Sequence, residues 1–184
     1  MRWNVVQSEV VCPCRVFDVR RDRSRAETNQ QEHDFYVLEA RDWVNVVPLT
    51  ADERVILVRQ FRHGIRDLTL EVPAGVMDSS DASAEIAARR ELREETGYEG
   101  GTLVSLGSIH PNPAILNNRC HIFLAPHVRW VGAPQWDSTE EIEVESVPLA
   151  QVPEMIRTGL ISNALTVAAF HLLHLAIQQN PLVR

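Results

Sequence analysis

Between Gly75 and Tyr98 the chain reads GVMDSSDASAEIAARRELREETGY, which sets Glu91, Glu94 and Glu95 at i, i+3 and i+4. At 3.6 residues per turn those three carboxylates share one side of a helix, within a turn of each other. Like charges at this spacing destabilise a helix, so the segment calls for something positive to offset them. All-oxygen donors suit hard cations such as Mg²⁺, Mn²⁺ or Ca²⁺. The same helix also has to pack. With Leu92 facing a core, Ala84 and Ala88 lie on the adjoining stripe, and Glu91 and Glu95 fall between that stripe and Ala87. The acids therefore border the packing face, where small alanines let other backbone approach. Ser80, Asp81 and Ser83 are candidate N-caps, and Gly97 suits a left-handed C-cap. A solvated acidic face is the plainer reading of E-x-x-E-E; the alanine border and the two caps argue for a compact, rigid device instead.

The segment resembles the Nudix box, G-x5-E-x7-R-E-U-x-E-E-x-G-U with U aliphatic or aromatic. Gly75, Arg90, Glu91, Leu92, Glu94, Glu95, Gly97 and Tyr98 match. Two departures stand out: the early acid is Asp81 rather than Glu, and the interval from it to Arg90 is one residue longer. The resemblance implies that Asp81 braces the loop as a structural partner of Arg90. It further implies Mg²⁺ (or Mn²⁺) as cofactor, with Glu91, Glu95 and the backbone carbonyl of Ala74 as direct metal ligands. Glu94 is then either a bridging metal ligand or the catalytic base.

The rest of the chain fits a soluble enzyme of modest size. At 184 residues it is about one domain, or one domain with a short appendage. A formal charge of −7 argues against a nucleic-acid partner, which demands a clustered positive surface. No basic leader followed by an apolar run opens the sequence, and the apolar stretch 164–177 is too short to span a bilayer, so a cytoplasmic location with no membrane partner is expected. Cys12, Cys14 and Cys120 form no paired framework, consistent with a reducing compartment. Cys12-Pro-Cys14 lacks a second Cys/His pair to complete a metal clip, and both are expected to be ordinary strand cysteines.

β-branched residues over the first 20 positions suit strands, and Arg20 to Gln31 reads as an exposed hairpin loop. Further strands are expected at 35–38, 43–47, 55–58, 67–72, 103–109, 120–124 and 142–147. Helices follow at about 149–158 and 163–178, the second capped by Ser162. This order makes the chain α+β, with mixed sheets between helices. The resemblance gives the same answer, a Nudix-type α/β/α sandwich over 46–184 with an N-terminal antiparallel β-subdomain over 1–45. In the ADP-ribose pyrophosphatase branch that subdomain is exchanged across a homodimer and helps to build the partner's substrate site.

The flanks of the box narrow the substrate. V-R-Q-F-R at 58–62 and E-V-P-A-G at 71–75 are similar to segments of nucleoside diphosphate sugar hydrolases. Guanidinium forks bind phosphate oxygens, so Arg59 and Arg62 with Glu71 are candidate substrate-binding residues. Pro113 falls fifteen residues after Tyr98, where ADP-ribose-type members carry a proline, and Asn118 in the same loop offers an amide to a sugar hydroxyl. A carboxylate already holding metal is a poor base, and in that branch the base comes from a later loop. The matching stretch here, 135–143, makes Glu140 the first candidate and Glu141 the second. The expected reaction is metal-assisted hydrolysis of the diphosphate bridge of a nucleotide sugar, with ADP-ribose leading. GDP-mannose, a dinucleoside polyphosphate, or a non-catalytic nucleotide-sugar-binding domain are the alternatives.

Overall fold

The computed structural model describes residues 2–136 and 141–180, grouped into two compact units. The first comprises Met1–Asp42 and His110–Arg119, the second Trp43–Ile109 and Cys120–Arg184.

Charge alternation builds the first unit. Strands β1 (Trp3–Pro13), β2 (Asp18–Ala26) and β3 (Glu32–Glu39) form an antiparallel sheet in that order. The stretch expected to be a loop from Arg20 onward is therefore mostly strand, and the turn is confined to 27–31. Its arginines find acids across the strands: Arg23 bonds Asp34 at 2.8 Å, Arg25 bonds Glu32 at 2.6 Å, and Arg20 bonds Glu39 as well as Asp22 on its own strand. Opposite charges facing each other across an antiparallel pair hold a strand that hydrophobic patterning does not reveal. The 110–119 segment joins this unit through Leu38, whose N–H donates to the Ile115 carbonyl at 2.7 Å.

Apolar alternation builds the second unit. Its elements are β4 (Trp43–Leu49), β5 (Arg54–Arg62), β6 (Asp67–Glu71), β7 (Ala74–Val76), α1 (Ala84–Thr96), β8 (Tyr98–Glu99), β9 (Val104–Ile109), β10 (Cys120–Pro126), β11 (Arg129–Trp130), β12 (Ile142–Pro148), α2 (Val152–Arg157) and α3 (Ala164–Gln179). The sheet runs β12-β5-β4-β10-β9, with β6 beside β5 and β7 beside β4. It is mixed, because β4 and β10 pair parallel while β5 and β12 pair antiparallel. Successive side chains of a strand point to opposite faces. Val44, Val46, Ile56, Phe123 and Ala125 accordingly pack on the α1 side with Ala87, Ala88 and Leu92. Val47, Leu49, Leu57, Ile122 and Leu124 pack on the other side with Ala169, Phe170 and Leu173 of α3. The result is an α/β/α sandwich, and the chain is α+β.

Helix ends follow local chemistry. Ser83 caps α1 by accepting the Ile86 N–H, as one of the three candidates suggested. For α3 the cap is Asn163 rather than Ser162: its Oδ1 accepts from both Leu165 and Thr166 N–H groups. Among the described residues no helix is long and apolar enough to cross a membrane.

Gly97 ends α1 with φ +73, and a Cβ there would overlap the Gly132 carbonyl oxygen. Gly97→Ala meets both the left-handed backbone cost, about 1–2 kcal/mol, and that collision. The expected loss of unfolding free energy therefore exceeds about 1 kcal/mol, and urea titration measures it. An unchanged midpoint would mean that the Gly132 backbone gives way freely.

Candidate active site

Helix α1 seats its carboxylates by packing its alanines. Ala87, Ala88 and Leu92 bury fully against the sheet, which carries Glu91 and Glu95 inward to 9% and 3% exposure. A buried carboxylate must be hydrogen-bonded. Glu95 accepts the Ala74 N–H at 3.0 Å, so the start of β7 reaches one expected ligand directly. Glu91 lies against Gly75 so closely that a Cβ at that position would overlap its carboxyl group. The box glycine is required here by space.

The positive group is Arg90. Its Nη1 donates to Glu91 at 2.8 Å and to Glu94 at 3.0 Å. Its Nη2 donates to Asp81 at 2.9 Å and to the Val76 carbonyl at 3.2 Å. Asp81 is thus bonded to Arg90, as the resemblance implied. Hydrogen bonding from Arg90 holds the Asp81 carboxyl below the usual range against the opposing effect of burial, and Asp81 in turn pushes Arg90 up. Asp78, Asp81, Glu91 and Glu94 all lie within ion-pair distance of this single guanidinium. Among the described residues no three potential ligands converge to enclose an ion as they stand. Arg90 lies between Glu91 and Glu94, which explains why. The donor set nevertheless fits a hard divalent cation: all oxygen, two carboxylates fixed by burial, and a third, Glu94, 40% exposed and able to turn.

The end of α1 anchors a loop that the sequence marks only weakly. A helix leaves its last carbonyls unpaired. Here the Glu94 carbonyl accepts the Gln135 N–H at 2.8 Å, and the Glu95 carbonyl accepts the Trp136 indole N–H at 3.0 Å. Arg93 also donates to the Ala133 carbonyl at 3.1 Å. Trp136 in turn lines a cavity of about 330 Å³ with Arg59, Leu68, Glu141, Ile142 and Glu143. Glu141 therefore lines the same cavity as Arg59 and Trp136. Glu140, the first candidate for the base, lies outside the described residues. A larger concavity of about 710 Å³ between α2 and α3 is lined mainly by apolar groups such as Val152, Ile156 and Phe170, and belongs to the opposite face of the sheet.

The two candidate arginines are both held by acids. Arg59 bonds Glu145 at 2.6 Å across β5 and β12. Arg62 meets Glu71 in a two-pronged pair at 2.9 and 2.8 Å. Glu71 is almost fully buried and also accepts the Thr69 hydroxyl. Burial pushes its carboxyl up, but hydrogen bonds from Arg62, Thr69 and Asn163 outweigh that and hold it below the ordinary range. Pro113 and Asn118 belong to the first unit rather than the second. The Asn118 amide donates to the Arg41 carbonyl at 3.0 Å, while its buried Oδ1 accepts no hydrogen bond from the described residues. Such an orphaned acceptor is uncommon and marks a place where a donor fits.

Comparison with known proteins gives the family. The NUDIX domain family model matches residues 21–166. The ADP-ribose pyrophosphatase of Mycobacterium tuberculosis is 26% identical over 176 residues, covering 94% of this chain and 83% of that protein. The GDP-mannose pyrophosphatase of Citrobacter koseri is 33% identical over 130 residues, 66% of this chain and 67% of its own length. A crystal structure of an ADP compounds hydrolase superposes with a TM-score of 0.84 at 22% identity, over 97% of this chain and 96% of that one, a likeness of fold.

The Glu71 pairing has a pH signature. A carboxyl held lower in the folded than in the unfolded chain contributes stability that is complete above its unfolded pKa. That stability is lost as pH falls through the folded value. Unfolding free energy is therefore expected to drop below about pH 4.3, the ordinary glutamate range. Glu71→Gln should flatten part of that slope in urea titrations run at successive pH values; an identical slope would show that Glu71 does not carry it.

Proposed function

Because the chain belongs to the Nudix family of pyrophosphohydrolases, we propose that it hydrolyses the pyrophosphate bond of a nucleoside diphosphate sugar with the help of Mg²⁺ or Mn²⁺. ADP-ribose is the leading substrate, giving AMP and ribose 5-phosphate. The observation that carries this reading is the pair of buried carboxylates, Glu91 and Glu95, seated against Ala74 and Gly75 of β7. These two glutamates and the Ala74 carbonyl would hold the metal. When bound, a divalent cation supplies charge neutralisation of the diphosphate and an acidified water.

The chain's own residues have distinct tasks. Arg59 and Arg62 offset phosphate charge, and Glu71 serves the substrate through Arg62, whose orientation its two oxygens fix. Glu94, exposed at the edge of the cluster, either bridges metal or takes the water's proton. Glu141, in the cavity with Arg59 and Trp136, is the described candidate for a separate base, alongside Glu140. The unmet acceptor of Asn118 suits a sugar hydroxyl, with Pro113 shaping the same loop. GDP-mannose is the second reading, favoured by the 33% identity to a GDP-mannose pyrophosphatase.

We also assign the chain a homodimeric state built on its first sheet. Every residue of β1 is exposed, and Val5 and Val10 on it, like Phe35 on β3, are large apolar groups left in water. Large exposed apolar groups gathered on one small sheet suit an interaction site. Sedimentation equilibrium at micromolar concentration is expected to give a dimer; a monomer would overturn this assignment.

The decisive assay offers ADP-ribose, GDP-mannose and nucleoside triphosphates with Mg²⁺ and measures phosphate released by a coupled phosphatase. Turnover is expected on the nucleotide sugars, falling by roughly 100-fold or more in Glu95→Gln, the scale at which metal-site contacts matter. Turnover of triphosphates alone, or nucleotide-sugar hydrolysis that survives the substitution, would sink the proposal.

A further inference from the structure

We propose that Cys12 and Cys14 form a thiol–disulfide couple that exchanges with small-molecule disulfides of the glutathione class. The two sulfurs lie 3.8 Å apart, in van der Waals contact. Both thiols are exposed, so neither is committed to core packing. Cys12 sits near the end of β1, an outer strand of its sheet, and Cys14 lies just past its last residue. The register to β2 shifts between Val10 and Cys12, and the Cys14 N–H closes the hairpin by donating to the Phe17 carbonyl at 3.1 Å. The hydrogen bond with Cys12 pushes the Cys14 thiol up.

Ring closure defines the kind of bond that results. A bridge there is exposed, and exposed bridges are the readily reduced ones. It also closes so short a loop that it removes little freedom from the unfolded chain. The bond is therefore a reversible couple, not a structural staple.

The exchange balances in two steps. One cysteine thiolate attacks a sulfur of the oxidised small molecule, forming a mixed disulfide and expelling one thiolate, which takes up the proton given up by the protein. The neighbouring cysteine then attacks the protein-bound sulfur, closing Cys12 to Cys14 and releasing the second small thiol. Two protein S–H bonds and one small-molecule S–S bond become one protein S–S bond and two small thiols.

The test equilibrates the full chain with glutathione and glutathione disulfide at several ratios, followed by acid quenching, alkylation under denaturing conditions and trypsin. Cleavage after Arg2 and Arg15 leaves both cysteines in one peptide, and fully buried Cys120 reports general oxidation. The expected result is an unalkylated peptide, lighter by two hydrogens than its reduced form, whose share falls as the square of reduced glutathione rises. Cys12→Ser and Cys14→Ser should each abolish that species and retain a glutathione adduct on the remaining thiol. Glutathione adducts without closure in the unsubstituted chain, disulfides between chains, or a closed form that excess glutathione does not reopen would each overturn the proposal.

Discussion

Two carboxylates buried on the packing side of a short helix are the constraint from which the rest of this site follows. Ionised groups taken out of water need hydrogen bonds, and like charges one turn apart need a cation. The Ala74 N–H meets Glu95, and Arg90 meets Glu91 and Glu94. Gly75 has no side chain because Glu91 already occupies the space. Ala87 and Ala88 are small because the sheet must come close enough to bury their neighbours. Asp81 completes the set by holding the other edge of Arg90. Each of these choices looks local, but all serve one electrostatic problem.

The same helix organises its surroundings through its far end. Carbonyls left open at Glu94 and Glu95 are closed by Gln135 and Trp136, so two residues of the acidic cluster also tether the following loop by their backbone. Trp136 then forms one wall of the cavity that holds Arg59 and Glu141. Side chains of α1 face the proposed metal chemistry while its main chain positions the residues that would accompany it. An indole at this point links the two without adding charge.

Much of this was legible in the sequence, for physical reasons that differ by element. The span and both ends of α1 could be read from a 3.6-residue period, a serine cap and a glycine stop. Strands β4, β5 and β10 were readable because each alternates apolar residues between two buried faces. Strand β2 was misread as a loop because its alternation is ionic: Arg23 and Arg25 are satisfied by Asp34 and Glu32, which a single segment does not display. Asn163 displaced Ser162 as a cap by one position, a choice made by backbone geometry. Arg62 and Glu71 were each recognised, but their mutual pairing depends on the antiparallel packing of β5 on β6. That Asn118 and Pro113 join the first unit follows from the link of 110–119 to Leu38, for which nothing local signals.

The parallel pairing of β4 with β10 has a kinetic side. Everything between Leu49 and Cys120, α1 included, lies within the chain loop that this pairing closes. Long-range closure must be met before its contacts repay it, which slows folding. Phe123 and Ala125 of β10 complete the apolar bed beneath α1. During synthesis the acidic helix therefore emerges well before the apolar bed beneath its alanines is finished.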